Sequence, residues 1–372
     1  EGGTGVTGEH LHGVAIRECL DKVAEAIGWG KPTKPSNPRM ARGKGLACLI
    51  KATVTPSVST ALIRLNEDGS ATVYVGTADI GQGSDTVMAQ IVSEELRIPM
   101  EQVQILHSDT DYTPYDLSTS SSRSTFHMGR AVQLAAEDIR RQLACMAAPL
   151  FRVGAEEIVF ESQQVRPRDG GEGLSYRDLF MKQYGIKGIN LFGKGLFKTD
   201  AKQKSGEPQT SVFWTTGAAA AEVEVDRETG QVRVVRYATA ADVGKALNPF
   251  FCEQQLRGAA ITGIGQALME QLVYQDGLLI NPNFLDYNLP RFLDIPEEII
   301  PILVELPHPD GPFGAKGLGE TALIPAPPAI ANAVEDAVGA RVTDLPITPE
   351  KVFLAMQRKR EEKVVPAHLA RL

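Results

Sequence analysis

ALIRLNEDGSATVYVGTADIGQG, residues 61–83, sets the reading of the whole chain. Apolar and polar residues alternate through ALIRL and again through ATVYV, the period-2 signature of half-buried strands, and NEDGS between them supplies a glycine-containing turn. A second hairpin, AAEVEVDRETGQVRVVRYATAADVGKALNP (220–249), follows the same plan. Each ends in a small-residue loop carrying Asp-x-Gly, ADIGQG in one and ADVGKA in the other, so two related units are predicted within one chain.

Helical patterns surround the hairpins. Ser84 is placed to cap a helix with Met88, Ile91, Val92 and Leu96 on one face, and QVQILHSD (102–109) follows as a short strand. Beyond the loop TDYTPYDLSTSSSRSTFHMG (110–129), a helical stripe runs through Val132, Ala135, Ile139, Leu143, Met146 and Leu150. GVAIRECLDKVAEAIGW (13–29), EQQLRGAAITGIGQALMEQLVY (253–274), PAPPAIANAVEDAVG (325–339) and TPEKVFLAMQRKREEK (348–363) read as further helices, the last with Thr348 and Pro349 as cap and first residue. Strands and helices alternate without βαβ spacing, so the fold class is α+β. The expected division is a first unit over 1–150, an irregular connection over 151–215 whose basic run (192–206) is a solvated loop, and a second unit over 216–372.

With 372 residues, 43% of them hydrophobic, the chain is long enough for a substantial core. A net charge of −8 argues against nucleic acid or an anionic membrane surface as partner. Cys19, Cys48, Cys145 and Cys252 form no C-x-x-C pair, so no zinc or iron–sulfur site is encoded and reduced cysteines are expected. No apolar run nears the roughly 20 residues of a membrane span, and the opening EGGTGVTGEH lacks the regions of a signal peptide; the expected compartment is the cytoplasm. That opening has no methionine and reads as the middle of something, either a trimmed start or the later part of a longer polypeptide.

Three segments carry polar groups suited to chemistry. Gly81, Gln82 and Gly83 stand between a strand and a helix, where backbone N–H groups meet an anion or simply form a tight turn. STSSSRST (118–125) sets seven hydroxyl residues around one arginine, either as a ligand-wrapping loop or as a polar linker. GPFGAKGLGET (311–321) crowds glycines around Lys316 and Glu320. A carboxylate desolvated there would be a candidate general base, with Lys316 as a potential ion-pair partner; a surface glycine turn is the competing reading. His10, His12, His107, His127, His308 and His368 show no metal-ligand spacing.

Four segments in this order, GQGSDTVMAQIVSEEL, DTDYTPYDLSTSSSRSTFHMGRAV, DVGKALNPFFCEQQLRGAAITGIGQAL and GPFGAKGLGETALIPAPPAIANAVEDAVGAR, resemble the C-terminal molybdenum-binding half of the large subunit in the xanthine dehydrogenase and aldehyde oxidase family of molybdenum hydroxylases. The resemblance runs from about residue 42 to the last helix. It implies that Gly81, Gln82, Gly83, Thr119, Ser122, Ser124, Gln255, Lys316 and Gly317 hold a molybdenum–molybdopterin cofactor, in its cytosine dinucleotide form, with no metal ligand from the protein. Ser120, Ser121 and Arg123 would stand at pocket positions, the two serines against the substrate. Glu320 would be the base that activates a water-derived oxygen for insertion into an electron-poor C–H bond. An N-heterocycle such as a purine or nicotinate is the expected substrate class, with an aldehyde next.

The same resemblance implies partners: the N-terminal half of the molybdenum domain, an iron–sulfur subunit with [2Fe-2S] clusters and an FAD subunit, assembled as a dimer of heteromers. Two other readings remain: a non-catalytic structural subunit of such a complex, and a phosphate-binding α+β module of another kind.

Overall fold

The computed structural model describes residues 3–4, 8–9, 11–200 and 210–364. His10, His368 and the end of the basic run (201–206) lie outside the described residues. The helix expected near the start is α1 (Ile16–Ile27), and β1 (Met40–Ala52) follows it. The first hairpin is β2 (Ser57–Leu65) and β3 (Ala71–Val75), leading into α2 (Ser84–Leu96), β4 (Val103–His107) and the long α3 (Gly129–Phe151). The middle of the chain holds β5 (Ile158–Glu161), β6 (Gln164–Pro167), β7 (Leu174–Ser175), α4 (Tyr176–Tyr184) and β8 (Leu191–Thr199). The second hairpin is β9 (Trp214–Asp226) and β10 (Val232–Asp242), followed by α5 (Pro249–Leu268). A two-stranded ribbon, β11 (Tyr274–Gln275) and β12 (Leu278–Leu279), then precedes β13 (Glu298–Val304), α6 (Ala326–Val338) and α7 (Pro349–Val364).

The α+β class and the pairing of two related units hold. One sheet runs β4-β3-β2-β8 and the other β13-β10-β9-β1, with one pattern of pairing: a hairpin, a parallel strand beyond its second arm, and an antiparallel edge strand beside its first. Even the registers correspond. Gly193 and Gly195 stand opposite Ile63 and Ala61, as Gly43 and Gly45 stand opposite Val223 and Ala221. Both edge strands carry the same tetrapeptide, G-K-G-L, at 43–46 and 193–196.

The edge strands are exchanged. Each repeat reads, along the chain, as a G-K-G-L strand, a hairpin, a helix, a parallel strand and a helix. The lead strand of the first repeat, β1, pairs with the hairpin of the second, and the lead strand of the second, β8, pairs with the hairpin of the first. The expected irregular connection over 151–215 is therefore corrected: it contains a small three-stranded sheet, α4 and an integral strand of the first sheet. The expected solvated loop from 192 is likewise β8 through Thr199. Glycine misleads there, because it marks loops but also lets a helix approach a strand closely. A Cβ at Gly195 would stand 1.8 Å from the Ala131 carbonyl of α3, and one at Gly45 would stand 2.1 Å from the Ala329 carbonyl of α6.

The first sheet packs α2 and α3 on one face, where Ile63, Val73, Ile91, Val132 and Ile139 are buried. The second sheet is covered on both faces: α5 and α6 on one, α1 on the other through Cys19, Val23 and Ile27 against Ala218, Ala220, Ala238 and Ala240. β9 is consequently buried along almost its whole length, and its run of alanines suits the close approach of helices from both sides. Among the described residues no helix is long and apolar enough to cross a membrane.

Candidate functional site

The hydroxyl loop and the glycine loop occupy equivalent positions in the two repeats. The first joins β4 to α3 and the second joins β13 to α6, so each leaves the C-terminal end of a parallel edge strand. They meet, together with the GQG turn and Gln255 of α5, around a cleft of about 310 Å³. Of the expected site residues, Gln82, Thr119 to Ser122, Ser124, Gln255, Gly317 and Glu320 all line it.

The GQG turn is organised from within. Asp79 accepts from the backbone of Gly81 (2.8 Å) and Asp85 (3.1 Å); burial pushes its carboxyl up, but these N–H groups outweigh that and hold it below the usual range. The Gln82 amide donates to the Ala78 carbonyl (3.0 Å) and Ser84 Oγ (3.1 Å) and accepts from Ile80 N (2.6 Å). Thr119 Oγ1 donates to the Ala78 carbonyl and accepts from Ala78 N, both at 3.0 Å, which ties the two loops together. The helix cap expected at Ser84 falls instead on Gly83, whose φ of 78° and place against the Phe251 ring exclude a side chain. Gly81, at φ 99°, has nothing within 4 Å of where a Cβ would stand, which leaves its backbone open.

Ser121 and Ser122 are consecutive left-handed residues (φ 53° and 55°), an uncommon conformation that concentrates at ligand sites. Ser122 Oγ donates to Glu320 Oε2 (3.2 Å) and accepts from Gly319 N (3.1 Å). A Cβ at Gly317 would lie 1.4 Å from the Ser122 carbonyl, so the glycines serve loop-to-loop contact. Glu320 itself is not buried as expected: its side chain is 39% exposed and pairs at 2.7 Å with Lys51, a residue of β1 that no sequence motif marked. Close backbone packing under the loop leaves the carboxylate facing the cleft.

Two further expectations change. Lys316 does not pair with Glu320 and does not line the main cleft; its ammonium is buried against Asp242 (2.6 Å) and the Gly13 carbonyl (2.8 Å), tying the glycine loop to the DVGKA turn. Arg123 does line the cleft, as expected of a pocket position, but its guanidinium turns into the core. All five of its N–H donors are used, on Asp116, Ser118, Ser57, Val58 and Ser59, so it anchors the hydroxyl loop. Neighbouring His127 is fully buried on a π-helical turn (Ser124–Met128) with no partner for either ring nitrogen, and burial followed by the Arg123 charge brings its pKa down to about 4.

The donor set is hydroxyls, amides and bare backbone, which fits the polar edge of an organic cofactor such as a pterin. A side pocket of about 80 Å³ shares Gln82, Thr125, Gln255 and Leu318 with the cleft and reaches Cys252, whose thiol burial pushes up to about 11. Among the described residues no cluster of His, Cys, Asp or Glu is placed to hold a metal ion.

Paired repeats meeting at a hydroxyl- and amide-lined cleft define a cofactor-binding domain. The chain belongs to the family of molybdopterin cofactor-binding domains, which matches residues 22–296. It is 32% identical over 324 residues to the 6-hydroxypseudooxynicotine dehydrogenase complex subunit gamma of Paenarthrobacter nicotinovorans, covering 85% of this chain and 40% of that protein. It is 34% identical over 303 residues to the nicotine 6-hydroxylase large subunit of the same organism, covering 80% and 36%. The fold matches that of quinoline 2-oxidoreductase from Pseudomonas putida 86 with a TM-score of 0.82 at 26% identity, over 96% of this chain and 47% of that one. The chain thus spans less than half the length of each.

Proposed function

We propose that this chain is the molybdopterin-binding part of a molybdenum hydroxylase that oxidises an electron-poor C–H bond, with Glu320 as its base. The carrying observation is the Glu320 carboxylate: it faces the cleft, held on Oε2 by Ser122 of the hydroxyl loop. When bound, the molybdenum–pterin cofactor, in its cytosine dinucleotide form, supplies the two-electron redox step. The chain's own part is to bind and position. Thr119, Ser122, Ser124 and Gln255, with the backbone of Gly81, Gly83 and Gly317, would hold the pterin edge and phosphates, and Gln82, its amide bonded within its own turn, would stand at the metal end of the cleft. Ser120 and Ser121 line the substrate side, and Glu320 takes the proton from the water-derived oxygen as it enters the substrate.

Two of the relatives are named for nicotine-derived compounds and one for quinoline, which supports an N-heterocyclic substrate first, and others named for aldehydes support an aldehyde as the second reading. Relatives described as a gamma subunit and a large subunit support partner chains; by the family resemblance these are the remaining half of the molybdenum domain and iron–sulfur and FAD subunits that carry electrons away, in a cytoplasmic dimer of heteromers.

The test is Glu320→Gln in the complex purified from its native host. Turnover is expected to fall by at least about 10²-fold, the scale of a positioned proton acceptor, while molybdenum measured by elemental analysis stays bound. Wild-type turnover in this variant sinks the assignment, and an intact wild-type complex without molybdenum favours a structural subunit.

A further inference from the structure

Lys51 does not itself line the cleft but is held by its own strand against two residues that do, Glu320 and Ser121. At the C-terminal end of β1 it places its ammonium 2.7 Å from Glu320 Oε2 and 3.5 Å from Ser121 Oγ. Two bonds from the following residues fix it there: Thr53 Oγ1 donates to the Ser121 carbonyl and Val54 N donates to Ser121 Oγ, both at 3.0 Å. The pair keeps 22% (Lys51) and 39% (Glu320) of its side-chain surface, and an ion pair that exposed adds little to stability. Its consequence lies in the charge of the cleft.

The neighbouring cations are committed elsewhere. Arg123 is neutralised by buried Asp116, and Lys316 by buried Asp242. Lys51 is then the cation that balances Glu320. Without it, a substrate bearing a negative group would meet a carboxylate at close range, a repulsion that at about 6 Å in a partly solvated site is worth on the order of tenfold in affinity. With it, the wall of the cleft is neutral overall. Selectivity of this kind comes from removing a repulsive element as much as from adding an attractive one.

We propose that Lys51 is a specificity-determining residue: by cancelling the charge of Glu320 it admits substrates that carry a carboxylate or another single negative charge beside the ring to be oxidised. This rests on the reading of Glu320 as the base at the cleft. The probes are pyridine-3-carboxylate and pyridine-3-carboxamide, alike in ring and shape but different in charge. Their Kd values are measured calorimetrically on the native complex, cofactor and partner chains included, for wild type, Lys51→Met, Lys51→Arg and Glu320→Gln.

The ratio of carboxylate Kd to carboxamide Kd is expected to rise about tenfold in Lys51→Met, to return toward wild type in Lys51→Arg, and to fall about tenfold in Glu320→Gln, where the lysine is left unbalanced. Opposite signs at the two positions mark charge balance, which a structural role would not produce. Equal weakening of both probes in Lys51→Met, shifts of the same sign in Lys51→Met and Glu320→Gln, or a wild-type complex that binds the carboxamide and rejects the carboxylate overturns the proposal. Turnover is a separate readout: an unchanged ratio with turnover lost in Glu320→Gln sinks this inference alone, whereas full turnover in Glu320→Gln sinks the hydroxylase reading.

Discussion

His127 is buried with neither ring nitrogen bonded, between Phe126 and Phe197, and takes a proton only near pH 4. In the unfolded chain a histidine titrates near 6.5, so between these values the unfolded state binds the extra proton. Stability is therefore complete above pH 6.5 and lost as pH falls toward 4, by about 3 kcal/mol in all. Thermal unfolding of the purified chain across that range should show the loss, and His127→Phe should remove most of it; an unchanged pH slope in the variant would show that His127 is not its source. The sequence showed a histidine without ligand spacing but not its depth. Glu320 was singled out by its glycine-rich surroundings and by the family resemblance, though the burial expected there is absent, whereas Lys51 was not, because it lies 269 positions from the carboxylate it pairs with and no local pattern records that meeting.

The elements were easiest to find where burial imposes a period. The stripe Val132, Ala135, Ile139 and Leu143 and the alternating hairpins announce which face is covered. β8 was missed because its glycines, which resemble a loop, are there to admit α3. Gly195→Val should therefore cost about 3 kcal/mol in denaturant unfolding, since a side chain at that point has to push the helix backbone away. Gly258→Ala, in α5 with nothing within 4 Å of the new carbon, is the control and should leave stability unchanged or raise it by about 0.5 kcal/mol. Equal losses at both positions would mean that close strand-to-helix approach is not what these glycines permit.

Across the whole molecule, the exchanged edge strands mean that sequence order and sheet membership differ. A division at 150 and 216 follows the hairpins, yet β1 belongs with the later sheet and β8 with the earlier one. Among the described residues, the buried core of the first sheet runs from Ala61 to Leu191, with Phe197 and Leu247 packed against it. A fragment of residues 57–199 should accordingly unfold cooperatively by circular dichroism, and a fragment of residues 1–150, which lacks β8 and the core residues beyond α3, should not; the reverse result would place the structural boundary where the hairpins suggested. The exchange also imposes a schedule on synthesis. The first sheet has all its strands once Thr199 has left the ribosome, but β1, finished at Ala52, waits for a partner that begins at Trp214. At about 5–20 residues per second that interval is roughly 8 to 32 seconds. Throughout it the nascent chain carries an unmatched strand, beside a growing sheet until Thr199 and a completed one only after it, so the order of manufacture, more than the final contacts, sets when this protein is most exposed to wrong partners.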